Sequence, residues 1–564
     1  MTLLLSWCVG ILGRTFWTPD EPREADISWR MSRQADKSVP LLAGEAFCEK
    51  PPLMYWLAAV PIRLFGPEAW AARLPNLLYA MVTALGVGLL ARRSSGGLAG
   101  LVGAAAVSTF LLSYQVAIWL ATDAPLLASV SIALLGAYQG FYAADTRERL
   151  RGYLLMHAAL GFGFLSKSAI AWMVPAMAII TLIVWERRWR ELLRWELYLG
   201  LLVQAAMIFT WIWFVYMGTD GLAHLKVFFW NNLVGRFTRI DAPNEIQYAA
   251  AHRNFPGKYL IELPIYLAPW TFLVIAALRR AWRGRAATFD DYRPVRFAIA
   301  ASLPPLVILS LAATARNIYF APALPGVALL IAWWSREIAA RAERWDVRAL
   351  RATAALLILG VLVVTAAAGL IAVDAWKEFG SHAEYIVVSA VGLVAAAWFA
   401  LRAWTARDEV LRAEWSLLLA CCALLVGPAS QVYHQVDAWQ DLGSIARAIQ
   451  HDAAGKPLIL FAPDETTRAM IDMYARTDVG VVPGPIDTAA IDRLRAAAGA
   501  SPQSLVVVQL PRPARGFSQE LAQGGAQPRG ADAPPWAAAA GLRLATTYSL
   551  PHGRRYALLE RQPQ

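Results

Sequence analysis

Residues 98–118 read LAGLVGAAAVSTFLLSYQVAI and residues 124–144 read APLLASVSIALLGAYQGFYAA, with only Trp119 to Asp123 between them and Arg147, Arg149 and Arg151 directly after. A hydrocarbon core about 30 Å thick takes roughly 20 apolar residues per helix. Each run is therefore long enough to span a bilayer, and the pair reads as a hairpin whose short turn lies opposite the arginines. Working outward with the same measure gives thirteen candidate spans, near 1–17, 72–91, 98–118, 124–144, 152–166, 169–185, 196–216, 259–278, 297–314, 318–335, 352–373, 385–401 and 413–428. The whole chain agrees: 58% of its 564 residues are hydrophobic, 16% are charged and the mean hydropathy is +0.43. Soluble chains carry roughly 25% charged residues, so an ordinary soluble enzyme is excluded and a mainly α, polytopic membrane protein of about 13 transmembrane helices is expected.

Lys and Arg total 52 against 41 Asp and Glu, a net charge of +11. The excess recurs at every second connection: Arg92 and Arg93; Arg147, Arg149 and Arg151; four arginines from Arg187 to Arg194; six from Arg279 to Arg296; five from Arg336 to Arg351; and Arg402, Arg407 and Arg412. These 23 arginines mark the cytoplasmic side by the positive-inside rule. A nucleic-acid footprint would gather them on one soluble domain with interleaved aromatics, and no nucleic-acid partner is expected. The N-terminus is then cytoplasmic, and residues 18–71, 217–258 and the chain after 428 lie on the opposite face. Met1 to Trp17 has no basic n-region and no small-residue cleavage site before Asp20, so it reads as a retained helix. Cys8, Cys421 and Cys422 fall inside spans and Cys48 stands alone in an outer loop, which gives neither a disulfide framework nor a zinc-finger spacing.

The outer loops are too patterned to be tethers. The first has carboxylates at Asp20, Glu21, Glu24 and Asp26 around Arg23, with Pro22 placing Asp20 at the cap or first turn of a helix. Further on, Glu49 and Lys50 precede two prolines that stiffen their backbone, and the stretch from Leu53 to Phe65, too short to span, reads as a helix lying on the membrane. A plain surface salt bridge would also account for the Glu49–Lys50 pair. Shorter outer loops add Asp123, Lys167, and Arg316 with Asn317 and Tyr319, and the segment after residue 217 adds Asn231, Asn232, Arg236, Arg239, His252, Arg253 and Lys258. Cations facing a carboxylate at the bilayer edge suit a lipid phosphate held beside a group that handles a hydroxyl or amine. The chain has no GxGxxG or GxxxxGK[ST] loop, which disfavours a soluble nucleotide donor. A transporter or flippase would place ionisable groups near mid-span; here His157 and Glu262 are the main exceptions.

The order of Asp20-Glu-Pro-Arg-Glu-Ala-Asp-Ile, Glu49-Lys-Pro-Pro-Leu-Met-Tyr-Trp, Ala72-Arg-Leu-Pro, Thr122-Asp, Phe164-Leu-Ser-Lys and Tyr319-Phe-Ala-Pro-Ala-Leu-Pro resembles the motif series of GT-C class membrane glycosyltransferases, over roughly residues 1–335. The Glu-Lys-Pro-Pro pattern is closer to the ArnT-like, aminoarabinose-transferring branch than to the related protein O-mannosyltransferases. The resemblance implies a GT-C fold and an inner-membrane transferase. Such an enzyme, a monomer, moves a sugar from an undecaprenyl or other polyprenyl phosphate to lipid A or another envelope glycolipid on the periplasmic face. Carried over to this chain, Asp20 and Asp123 match catalytic positions, and Arg23, Lys50, Lys167, Tyr319 and Lys258 match donor-phosphate positions. Glu49 and His252 match a pair near which the family places a divalent metal, zinc or magnesium, on which transfer need not depend. The chain departs from the family pattern at Glu24, where tyrosine is usual, at Asp26, at Ser168 and after His252, so a sugar other than aminoarabinose (galacturonic acid, mannose or glucose) or a protein acceptor stays open.

Past Gly427 the pattern turns mixed. Strands are expected at 457–462, 479–482 and 504–509, helices near 465–476 and 487–499, and a hairpin from Leu542 to Leu559. The division is thus a transmembrane catalytic domain over 1–428 and a soluble periplasmic α/β domain over 429–564.

Overall fold

The structure is a computed structural model, and it describes residues 1–236, 255–284, 291–312, 316–374, 383–406, 409–474, 479–511, 533–550 and 554–562. Among these, eight helices are long and apolar enough to cross a membrane, or ten if each of two bent pairs is one span: Gly97–Thr109 with Leu111–Ile118 at 68°, and Lys258–Tyr266 with Thr271–Arg283 at 111°. Shorter apolar helices cover Thr2–Leu12, Leu53–Phe65 and Ile170–Trp185. All thirteen expected spans fall on helices, but not all reach full length and apolarity; Thr146–Lys167 carries Arg147, Glu148, Arg149 and Arg151 in its first turns.

The two breaks answer each other. At Phe110 the backbone turns extended and interrupts the helical ladder, and the freed Leu111 amide donates to the Ala268 carbonyl at 2.9 Å. The indole of Trp270 donates to the Thr109 hydroxyl at 2.8 Å. Irregular backbone at membrane depth survives only where protein satisfies it, and here each broken helix satisfies the other.

The hairpin of Asp123–Phe141 and Thr146–Lys167 is held close by glycine: a Cβ on Gly152 would lie 2.3 Å from the Gly140 nitrogen, and one on Gly136 would lie 2.5 Å from that of Met156. Small residues at such crossings let helices gain dispersion contact without a hydrophobic drive. The hairpin also sorts the charges. At one end, Glu186 accepts from the Tyr142 hydroxyl at 2.7 Å and from Arg296 at 2.8 Å, Arg149 meets Glu196 at 3.3 Å and Arg280 meets Asp346 at 2.7 Å. At the other end sits Asp123 with the carboxylates of the first loop.

After the last apolar helix, Val410–Gln440, comes a five-stranded sheet ordered Val479–Val482, Leu458–Phe461, Leu505–Leu510, Arg555–Arg561, Leu542–Ser549, the first three parallel and the rest antiparallel. Its two faces alternate along each strand. Ile459, Phe461, Val506 and Val508 pack toward the Thr488–Ala500 helix. Leu458, Leu460, Leu505, Val507, Tyr556 and Leu558 instead join one buried cluster with Phe16, Ala25, Ile27, Met31, Met54 and Tyr55 of the N-terminal region. The sheet is seated on the segment from Phe16 to Tyr55 through a common core.

Candidate active site

The helix Asp20–Arg33 begins directly after Pro19, with Asp20 and Glu21 in its first turn. At about 100° per residue, Asp20 and Glu24 lie on one side while Glu21 turns away, and their surroundings differ accordingly. Glu21 is fully buried between Arg14, at 2.7 and 3.0 Å, and Arg73, at 2.9 and 2.7 Å, and also accepts from the amides of Trp17 and Leu120. Burial alone would raise its carboxyl; the two arginines overcome that and bring it down to about 2.

Asp20 accepts from the Arg316 guanidinium at 2.5 Å. Burial works to raise its carboxyl, but the hydrogen bond and charge of Arg316, helped by Lys50 and Arg23, hold it below the usual aspartate value. One turn on, Glu24 is the ion-pair partner of Lys50 and accepts from the Tyr55 hydroxyl at 2.7 Å. Lys50 pays a desolvation penalty that would lower its pKa, and Glu24 more than restores it. The expected Glu49–Lys50 pair is not how Lys50 is satisfied; Glu49 instead accepts, through its backbone carbonyl, from the Asn232 side chain.

A third pair completes the group. Asp123, first residue of its helix, accepts from Lys167 at 2.6 Å, and the Lys167 ammonium lies 4.7 Å from the centre of the Tyr319 ring. Arg316, three residues before Tyr319, has its pKa raised by Asp20 against the lowering effect of burial, with Tyr319 and Asp123 contributing. Asp20, Glu24, Asp123, Lys50, Lys167 and Arg316 are thus three carboxylates and three cations, and their formal charges cancel.

Arg23 points elsewhere than expected: its Nε lies 3.0 Å from Glu465 of the C-terminal sheet domain, although its charge still acts on Asp20. Around it the same domain grips the helix through Arg30 to Asp472, the residue before it through Thr466 to the Pro19 carbonyl at 3.2 Å, and the loop after it through Arg468 to Glu45 at 2.9 Å and to the Ala43 carbonyl at 3.0 Å. Lys258 opens the helix whose Tyr259 hydroxyl donates to the Arg316 carbonyl at 2.5 Å, which brings that helix to the edge of the site. His252 lies outside the described residues. Among the described residues, no three His, Cys, Asp or Glu side chains come together as a metal site, and no step below depends on one.

Sequence reading overlooked the role of Arg14 and Arg73. Arg14 lies within the first apolar candidate span and Arg73 at the start of the second, where an ionisable residue signals a buried partner. Arg316 was noted only as an isolated charge.

Residues 49–214 match the family model of dolichyl-phosphate-mannose-protein mannosyltransferases. An undecaprenyl phosphate-alpha-4-amino-4-deoxy-L-arabinose arabinosyl transferase of Pseudomonas paraeruginosa is 30% identical over 73% of this chain and 73% of its own length. One of Edwardsiella ictaluri is 29% identical over 59% of this chain, which spans 58% of that relative. The crystal structure of ArnT from Cupriavidus metallidurans bound to undecaprenyl phosphate superposes with a TM-score of 0.74 at 20% identity, covering 100% of this chain and 98% of that one; at that identity the likeness shows the fold.

Proposed function

Because the chain belongs to the undecaprenyl phosphate-alpha-4-amino-4-deoxy-L-arabinose arabinosyl transferase family of membrane glycosyltransferases, we propose that it transfers a sugar from undecaprenyl phosphate to lipid A or another envelope glycolipid. Transfer takes place on the periplasmic face of the bacterial inner membrane, by a monomer and with inversion. The sugar is 4-amino-4-deoxy-L-arabinose or a close relative. The observation that carries this reading is the neutral group of three carboxylate–cation pairs at the end of the helices opposite the arginine-rich loops.

In this reading the acceptor oxygen attacks C1 of the sugar from the side opposite the phosphate. The C1–O bond to the phosphate breaks, and its electron pair stays on the departing polyprenyl phosphate. Lys50 and Lys167 stabilise that charge, the electrostatic contribution that usually dominates such catalysis. Asp20, held ionised below the usual aspartate range, takes the proton of a hydroxyl acceptor. A phosphate acceptor on lipid A is already anionic and needs no base, and Asp20 then orients it. Mass spectrometry of envelope lipids from cells with and without the chain tests the proposal. A sugar-modified lipid A or glycolipid present only with the chain is expected, whereas identical lipid profiles would overturn the assignment.

A further inference from the structure

A phosphate that takes a cation from one of these three pairs releases it from a carboxylate. The three pairs differ in what that release costs. Lys50 faces a Glu24 side chain only 3% exposed, and Lys167 faces an Asp123 side chain only 4% exposed. Taking either lysine away strands a buried carboxylate, which is strongly unfavourable. In the third pair Arg316 is 48% exposed and Asp20 is 23% exposed, so water can take over the carboxylate, which also keeps the charges of Lys50 and Arg23 nearby.

The Arg316 carbonyl is held while its side chain is half exposed. The Arg316 carbonyl accepts from the Tyr259 hydroxyl at 2.5 Å and from the Tyr319 amide at 3.0 Å, and Tyr259 is 1% exposed. A guanidinium has five N–H donors in a fork that matches phosphate, and among the described residues Asp20 takes a single contact from it.

We propose that Arg316 is the exchanging cation of the site: it pairs with Asp20 when the donor is absent, and turns to the polyprenyl phosphate when the donor binds, freeing the Asp20 carboxylate for the acceptor. Donor occupancy and the availability of Asp20 are thereby coupled through one side chain. This rests on the function proposed above and adds a group that touches substrate.

Binding of undecaprenyl phosphate to the full chain in lipid nanodiscs tests it. Arg316→Gln is expected to weaken binding by about tenfold or more, the usual scale for a lost charge-assisted hydrogen bond to phosphate. Asp20→Asn, which releases Arg316 beforehand, is expected to tighten binding several-fold, and the double variant to behave as Arg316→Gln. Arg316→Lys, which keeps the charge without the fork, is expected between wild type and Arg316→Gln; should the glutamine variant not fold, the lysine and Asp20→Asn arms decide. Unchanged affinity in Asp20→Asn, or tightening in Glu24→Gln or Asp123→Asn in its place, would overturn the exchange while leaving the transferase reading intact. Failure of the wild-type chain to bind undecaprenyl phosphate would instead overturn both.

Discussion

Asp20 and Glu21 are consecutive residues with opposite fates. Glu21 points into the protein, where Arg14, Arg73 and two backbone amides use both of its oxygens. Asp20 points to the rim of the helices, where one half-exposed arginine from far along the chain meets it. A carboxylate saturated by its own protein is an anchor. One held by a single half-exposed cation is the more easily reached from outside the protein, and the same rotation about the helix axis that buries the first presents the second.

The largest test of this contrast is Asp20→Asn, expected to cut transfer in a reconstituted assay by about 100-fold or more with little change in thermal stability. Near-normal turnover would remove Asp20 from the mechanism. The converse is expected of Glu21→Gln. It leaves two buried arginines without their counter-ion, a loss of about 3–5 kcal/mol, seen as a lower unfolding temperature or poor yield before any kinetic effect. The pH dependence follows in the same direction. Because Glu21 is lowered from 4.5 to about 2 by folding, its contribution is complete above 4.5 and disappears as pH falls toward about 2. Acid unfolding of Glu21→Gln should lack that component, and identical acid curves would argue against the anchor.

Smaller effects are expected where the pairs are partly exposed. Asp472→Ala, which removes the partner of Arg30 across the sheet domain, should cost roughly 1 kcal/mol or less and slow transfer a few-fold by loosening the helix that carries Asp20. A melting curve and a rate read the two effects separately. The smallest belongs to the opposite end of the molecule: Arg283, 59% exposed beside a Glu343 that is 43% exposed, should be replaceable by alanine with a change of about 0.5 kcal/mol or less. A large loss there would mean that the rim of arginines is structural as well as topological.

The apolar runs and the spacing of the arginines were legible because a bilayer imposes length and sign on every span. The strands of the last domain were legible because both faces of its sheet are buried, which leaves continuous runs such as Leu505 to Leu510. The carboxylates and lysines of the site could be named, but not their pairing. Lys50 finds Glu24 rather than its neighbour Glu49, and Asp20 finds Arg316, 296 residues away. No local pattern encodes contacts made only when separate helices converge. Arg23 shows the same limit, since the segment that claims it begins more than 400 residues later.

The common core of the sheet domain and the segment from Phe16 to Tyr55 bears on how the protein is made. Phe16, Ile27 and Met31 leave the ribosome several hundred residues before Leu505, Val507, Tyr556 and Leu558, which pack with them. Between the two lie the apolar helices from Leu53–Phe65 to Val410–Gln440. The helix that carries Asp20 is therefore made long before the surface that holds it, and a chain that stops short of those strands lacks part of that core. The seat of that helix thus depends on strands made several hundred residues later.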